Sequence, residues 1–506
     1  MLLCLSLRNG LRQVARAQAR MQVRCWTILL EPDLLTDAFA DDHASWKDSQ
    51  ENQDIYCMKK YGHVHGGFIG GIPILYVSEP SLVKQILVKD FHVFPNRKPF
   101  GNMEKDKLLG KMLTALTGEK WKIVRNTLTP TYTSGKLKQM VYLIEEASQY
   151  LINSLKNKAE NGEPIEFIKS FSVLTLDVIA SCAFGMKSDC IDNQESEFVH
   201  QANKAFRPSP KLIYFVNIMP FLIQCIPKFL PNPFDYFQKI ADRTIDMRQN
   251  QKDFSRKDFL QIMLEAEIPS DASNETEEDK NLQKETKKTL TRDVVIAQTV
   301  LFILAGHETT TNTLTFLAYE LALDQDLQEK LIKEVDDVMT NCKGKLTYED
   351  VKSMQFLEMV VAETLRKYPP AVRTDRVCVE DEYNLDGIIM KKGIEVGIPI
   401  YAIHHNPEFY SNPQIFDPER FSAENKAKRN PFTYLPFGAG PRNCIAMRFA
   451  LLEIKLVIAH MLCNYRFQTC PETQFPVQFD NRGMGLLQPK SVKLTLQMRI
   501  DQPKFN

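Results

Sequence analysis

Pro436-Phe437-Gly438-Ala439-Gly440-Pro441-Arg442-Asn443-Cys444-Ile445-Ala446-Met447-Arg448-Phe449-Ala450 is the stretch on which the reading of this chain turns. Glycines and prolines lead into a single cysteine, and Met447, Phe449, Leu451, Leu452 and Ile454 follow it as an apolar run. Such a leader favours a tight, stiff loop whose backbone can approach a flat partner closely. The apolar run predicts a buried helix from Ile445 onward. The sulfur would then stand at a helix N-terminus, where the dipole favours a thiolate. A thiolate held this way suits the single protein ligand of a haem iron, to which it donates the electron density that favours O–O cleavage. Arg442, two residues earlier, can reach a cofactor carboxylate as a charge-assisted donor.

Working outward, the 506 residues carry 63 basic and 63 acidic side chains. A balanced charge argues against a nucleic-acid partner, which usually shows a basic excess. No Pro/Gly/Ser linker divides the middle of the chain, so residues 51–506 are expected to form one large, mostly helical unit. The 11 cysteines are scattered and odd in number, with no Cys-x-x-Cys pair. That spacing suits neither a disulfide scaffold nor a zinc site and fits a reducing, cytosol-facing environment. Residues 1–50 form an atypical N-terminal segment. Its first 30 residues hold Arg8, Arg12, Arg16, Arg20 and Arg24 and no acid. The apolar run there is shorter than the roughly 20 residues that span a bilayer. A mitochondrial presequence, a helix lying on a membrane surface and a mis-assigned start all remain open.

Along the chain, His65 to Val77 reads as a hairpin turning at Gly70-Gly71, and Ser78-Glu79-Pro80 opens a helix through Leu87. Helical patterns dominate from Trp121 to about Leu331. Asp271 to Lys288 is charged and reads as a solvated loop. Strands return from Val377, with Gly393 and Gly397 near turns. Val294 to Leu323 is a long apolar helix candidate, interrupted at Ala305-Gly306-His307-Glu308-Thr309-Thr310. Small residues there allow close approach to a flat ligand. Thr309 in mid-helix can bond back to a carbonyl and open a niche, and Glu308 beside it makes an acid–alcohol pair suited to relaying protons. His307-Glu308 would be half of a zinc-protease motif, but that motif needs histidine at 311, which is Thr311. Glu363 and Arg366 share a helix face at i, i+3, as Trp121 and Arg125 do at i, i+4. Leu212 to Leu230 is strongly apolar but contains Pro220 and Pro227, which argue against a simple membrane span.

Taken together, these motifs resemble the cytochrome P450 superfamily. Phe437, Arg442 and Cys444 match its haem-binding signature Phe-x-x-Gly-x-Arg-x-Cys-x-Gly, with Ala446 departing at the last glycine. Trp121-x-x-x-Arg125, the Ala305–Thr310 run, Glu363-x-x-Arg366 and Pro418-Glu419-Arg420-Phe421 occur in the family's order, over roughly His63 to Leu496. Thr131 to Lys138 and Tyr401 to His405 look most like the family 3 microsomal drug-metabolising monooxygenases, and Pro431 to Ala439 resembles the related thromboxane synthase.

The resemblance implies a mainly α fold with small β-sheets, an α-rich triangular prism with haem between a long distal helix and a proximal Cys-loop helix. It implies haem b on an axial Cys444 thiolate, with O2 and NADPH-derived electrons as co-substrates. Trp121, Arg125, Ala305, Arg376, Phe437 and Arg442 would bind the cofactor, and Thr309 and Glu308 would deliver protons. Glu363, Arg366 and Arg420 would form a structural triad. Leu304, Ala305, Ala371, Val372, Thr374, Met484 and Leu486 would face a lipophilic small-molecule substrate, xenobiotic, steroid or fatty-acid-like. Leu212 to Leu230 would dip into the membrane beside the substrate entrance. NADPH–cytochrome P450 reductase is the implied electron donor, with cytochrome b5 a further candidate. It would dock where Lys122, Lys136, Lys138 and Arg448 offer positive charge. The implied location is the endoplasmic reticulum membrane, facing the cytosol, with the mitochondrion as the alternative. Two other activities stay open: a haem-thiolate isomerase acting on endoperoxides, and a non-catalytic haem binder or sensor.

Overall fold

The computed structural model describes residues 50–69, 72–98, 106–185, 190–191, 196–206, 234–250, 258–267, 290–480 and 485–503. The Arg-rich segment up to residue 49, the Gly70-Gly71 turn, the Leu212–Leu230 segment, the Asp271–Lys288 loop and Met484 lie outside the described residues.

Helix dominates the rest. The helices that position the site are α1 (Gln50–Tyr61), α2 (Gly118–Leu128), α3 (Val141–Glu160), α4 (Phe167–Ile179), α5 (Arg292–Leu323), α6 (Gln325–Asn341), α7 (Gln355–Lys367), α8 (Ile400–His404) and α9 (Met447–Asn464). Strands β1 (Val64–Ile69), β2 (Ile72–Val77), β3 (Ile165–Glu166), β4 (Thr374–Val377), β5 (Glu382–Leu385), β6 (Ile388–Lys391), β7 (Glu395–Ile398), β8 (Tyr465–Thr469) and β9 (Lys493–Met498) form small sheets at the edges. One is ordered β1-β2-β7-β4, a second β3-β9-β8, and β5-β6 is a two-stranded pair. The predicted hairpin is present, with Val64 opposite Val77 and Ile69 opposite Ile72.

Helix α5 is the axis of the molecule. It is apolar on every side, as a helix must be when neighbours cover it all round. By length and hydropathy it could cross a bilayer, yet most of it is buried against α4, α7 and α9. Gly306 explains how closely α4 packs, because a Cβ there would come within 2.9 Å of Ile179 Cδ1. The sequence suggested an interruption between Ala305 and Thr310, but the helix runs through it unbroken. Thr309 Oγ donates to Ala305 O at 2.7 Å, and Thr313 repeats the pattern on Thr309 O at 2.9 Å. Hydroxyls bonded back to i−4 carbonyls satisfy themselves without ending a helix.

Gly393 turns as expected, with φ +85°. Gly397 does not. It lies inside β7, paired with Tyr76 of β2, and the Tyr76 ring fills the space a Cβ would need.

Candidate active site

The cysteine loop hangs from a buried scaffold. On α7, Arg366 Nε and Nη2 each donate to Glu363 at 2.7 Å, and neither side chain is exposed to solvent. Arg420 Nε lies 3.5 Å from the same carboxylate, and Asp417 N–H donates to it at 3.0 Å. Glu363, Arg366 and Arg420 therefore converge as the sequence suggested. Arg366 also reaches out of α7, donating to His404 O at 3.0 Å and Pro413 O at 2.9 Å.

His404, at the end of α8, carries the scaffold to the loop. Its Nδ1 is 3.1 Å from Arg366 O, and its Nε2 accepts Leu435 N–H at 2.8 Å. A carbonyl can only accept and an amide N–H only donate, so Nδ1 holds the proton and the ring is neutral. Burial, with His405 and Arg366 nearby, holds its pKa well below the ordinary histidine value. Leu435 O accepts Gly438 N–H at 2.9 Å, and Phe437 O accepts Cys444 N–H at 2.8 Å, closing the loop around the sulfur. Gly440 adopts φ +72°, and a Cβ there would overlap the Leu87 carbonyl oxygen, so this position demands glycine. Ala446 N-caps α9 at φ −91°, an ordinary conformation for alanine. Its departure from the family glycine therefore strains no backbone.

Across from this loop, α5 closes a cavity of about 420 Å³. Cys444, Phe437 and Ala446 wall one side, and Leu304, Ala305, Gly306 and Thr309 wall another. Trp121, Arg125, Ala371, Thr374 and Leu486 line it as expected. Cys444 has accessible surface although protein surrounds it almost completely. Both hold, because its surface opens onto the cavity. Burial pushes the thiol up, opposed by the Ala446 backbone and by the Arg125 and Arg97 guanidiniums.

Three expected residues stand off the described cavity wall. Val372 is buried with Phe316, Tyr368, Tyr401 and Leu487. Its neighbour Ala371 bridges Leu486 in an extended backbone, where successive side chains point to opposite sides. Glu308 is buried beside His307, its carboxylate 3.7 Å from the imidazole, while Thr309, one helical step on, faces the cavity. Arg376 is buried behind Asp375, donating to its carbonyl at 2.6 Å.

The cavity's polar end holds an excess of positive charge. Arg125 grips Asn443 with two bonds, of 2.9 Å to O and 2.8 Å to Oδ1. Arg442 donates to Leu116 O at 2.8 Å and lies over the Trp121 ring, 4.3 Å from its centroid. Arg97 donates to Arg442 O at 3.3 Å. Sequence reasoning missed Arg97. The isolated bridge between Asn96 and Val377 that delivers it here leaves no local pattern. Arg376 and Arg442 share Asp375, the acid among the described lining residues. Burial and mutual repulsion push Arg376 down to about 9 and Arg442 down to about 10. Arg97 Nε and Arg376 Nε are buried donors without an acceptor among the described residues. Buried donors and unbalanced cations call for anionic acceptors. A flat, apolar-bodied cofactor with two carboxylates, its metal toward Cys444, fits this donor set.

The chain matches a family model described as cytochrome P450 over residues 43–496. It is 40% identical over 445 residues to mouse (Mus musculus) cytochrome P450 3A11, covering 86% of this chain and 85% of that one. It is 40% identical over 446 residues to rat (Rattus norvegicus) cytochrome P450 3A2, with 86% and 85% covered. To human (Homo sapiens) cytochrome P450 3A7 it is 37% identical over 454 residues, with 88% and 87% covered.

Proposed function

The chain belongs to the cytochrome P450 family and is a haem-thiolate monooxygenase, and on that premise we propose how its own residues serve the reaction. Cys444 would supply the thiolate that holds the haem iron. Arg97, Arg125, Arg376 and Arg442 would hold the cofactor carboxylates, Trp121 stacks on Arg442, and Phe437 would shield the sulfur. When bound, haem supplies the activation of O2 that inserts one oxygen atom into a substrate, the second leaving as water. The protein's part is to place the substrate, keep bulk water out and bring protons in. Thr309 presents its hydroxyl to the cavity, and its bond to Ala305 O can be exchanged for one to a ligand or water. Glu308, one residue back and buried, is the proton reservoir behind it.

Leu304, Ala305, Ala371 and Leu486 give the chamber an aliphatic wall, which suits a lipophilic xenobiotic, steroid or fatty-acid-like substrate. NADPH–cytochrome P450 reductase, with cytochrome b5 as a second donor, would meet Lys122, Lys136, Lys138 and Arg448. Of these, Arg448 is exposed and without an ion pair among the described residues, whereas Lys138 already pairs with Glu349 at 2.9 Å. We assign the enzyme to the cytosolic face of the endoplasmic reticulum membrane. Fractionation of the full-length protein tests this against the mitochondrial alternative.

The observation that carries the reading is that Cys444 and Thr309 wall one cavity with the guanidinium cluster at its polar end. The test is the carbon-monoxide difference spectrum of the reduced enzyme beside product yield per NADPH. Cys444→Ser should lose the thiolate band. Thr309→Ala should keep it but divert electrons to peroxide or water. An unchanged band in the first variant, or an unchanged yield in the second, would overturn that residue's assignment.

A further inference from the structure

We infer that Gln298 is a positioning residue that latches one cavity wall to helix α5, and so sets which substrate sizes the chamber admits. Residues 106–116 run between α5 and Arg442. Within them Leu113 and Thr114 line the cavity, and Leu116 O accepts from Arg442. On the α5 side, Gln298 is fully buried. Its Oε1 accepts Leu113 N–H at 2.8 Å, and its Nε2 donates to Lys111 O at 2.6 Å. The amide thus pairs with the N–H of one residue and the C=O of a residue two before it, as a neighbouring strand would. Its Nε2 also lies 3.3 Å from Val294 O on its own helix.

A second tie holds the same segment, since Lys111 pairs with Asp293 at the start of α5. That pair is exposed and contributes little, whereas the Gln298 bonds are buried and hard to replace. Inside the segment, Asp106 caps Leu108 and Leu109 N–H at 2.9 and 2.8 Å, and Ala115 and Leu116 N–H both turn back onto Met112 O at 2.9 Å. Leu113 N–H takes no part in those turns. Among the described residues its acceptor is the Gln298 oxygen. Gln298 is thus the buried polar tie of this wall to α5.

The inference rests on the cavity being the substrate chamber, and the experiment separates the two claims. Full-length holoenzyme is compared with Gln298→Met, which keeps the shape but not the amide, and with Gln298→Asn, which keeps the amide but shortens its reach. Hydrogen exchange at the Leu113 amide needs no substrate, and it should speed up about tenfold or more in either variant that folds. Binding of 1-methylimidazole and of a long-chain 1-alkylimidazole, read from the haem spectrum, should show the ratio of their Kd values changed by at least about threefold. Leu113 exchange at the wild-type rate would overturn the latch. Faster exchange with an unchanged ratio would overturn its role in selectivity. Failure of the long-chain probe to enter the wild-type chamber would instead count against the chamber itself.

Discussion

Glu363 and Arg366 look symmetrical in the structure, but the two deletions should not cost the same. Glu363→Leu leaves a guanidinium with no solvent exposure facing the carbonyls of His404, Pro413 and Ile415 and the Tyr410 ring, with no anion in place of the lost carboxylate. Arginine cannot shed its proton, and stranding one partner of a buried pair costs about 3–5 kcal/mol. A domain's whole stability is about 5–15 kcal/mol, so this variant should sit near the edge of folding. Arg366→Leu strands the carboxylate instead. That group keeps Asp417 N–H and the nearby Arg420, and it can also take up a proton. Burial already raises the pKa of Glu363 even with Arg366 in place, and removing the guanidinium raises it further. A carboxyl whose folded pKa exceeds its unfolded value binds a proton on folding, so its penalty shrinks as pH falls and grows as pH rises. The slope is at most about 1.4 kcal/mol per pH unit. Urea unfolding of both variants against wild type at pH 8 and pH 6 provides the assay. Glu363→Leu should be the worse and insensitive to pH. Arg366→Leu should recover up to about 2.8 kcal/mol at the lower pH. A recovery in Glu363→Leu, or none in Arg366→Leu, would refute the reasoning.

Three further outcomes follow from the same geometry. Gly440→Ala should lose haem incorporation at 37 °C, since forcing a methyl into the Leu87 carbonyl at positive φ costs about 3 kcal/mol or more; normal haem content in the purified variant would contradict this. His405 is held down to about 3, mainly by burial and next by Arg366. The unfolded chain therefore gains a proton near pH 6.5 that the fold refuses, and stability should fall by about 1.4 kcal/mol per unit below that pH, an effect that urea midpoints of His405→Asn should show reduced. Arg97→Leu should release haem to apomyoglobin about tenfold faster, the loss of one charge-assisted bond of roughly 1.5 kcal/mol, with the thiolate band unchanged.

Much of the site was legible because its pieces are local. The cysteine loop, the Glu363–Arg366 step and the acid–alcohol run each fit within a few residues, where helix and turn geometry fix what meets what. Arg97, Gln298 and His404 were invisible for the opposite reason: each acts on a backbone group far away in sequence. Val372 stands off the cavity wall by one step of an extended chain. Periodicity assigns a face only once the element's direction is known. Gly397 reads as lying near a turn because a glycine in a strand looks like punctuation until the Tyr76 ring beside it is seen.

Helix α5 serves at once as keel of the molecule and roof of its reaction chamber. A bulkier side chain at Gly306 would first meet the Ile179 side chain of α4, so the roof is poorly free to vary. Diversification of substrate range in such an architecture should fall to the segments around Leu113, Ala371 and Leu486, which can be redrawn without loosening the hull.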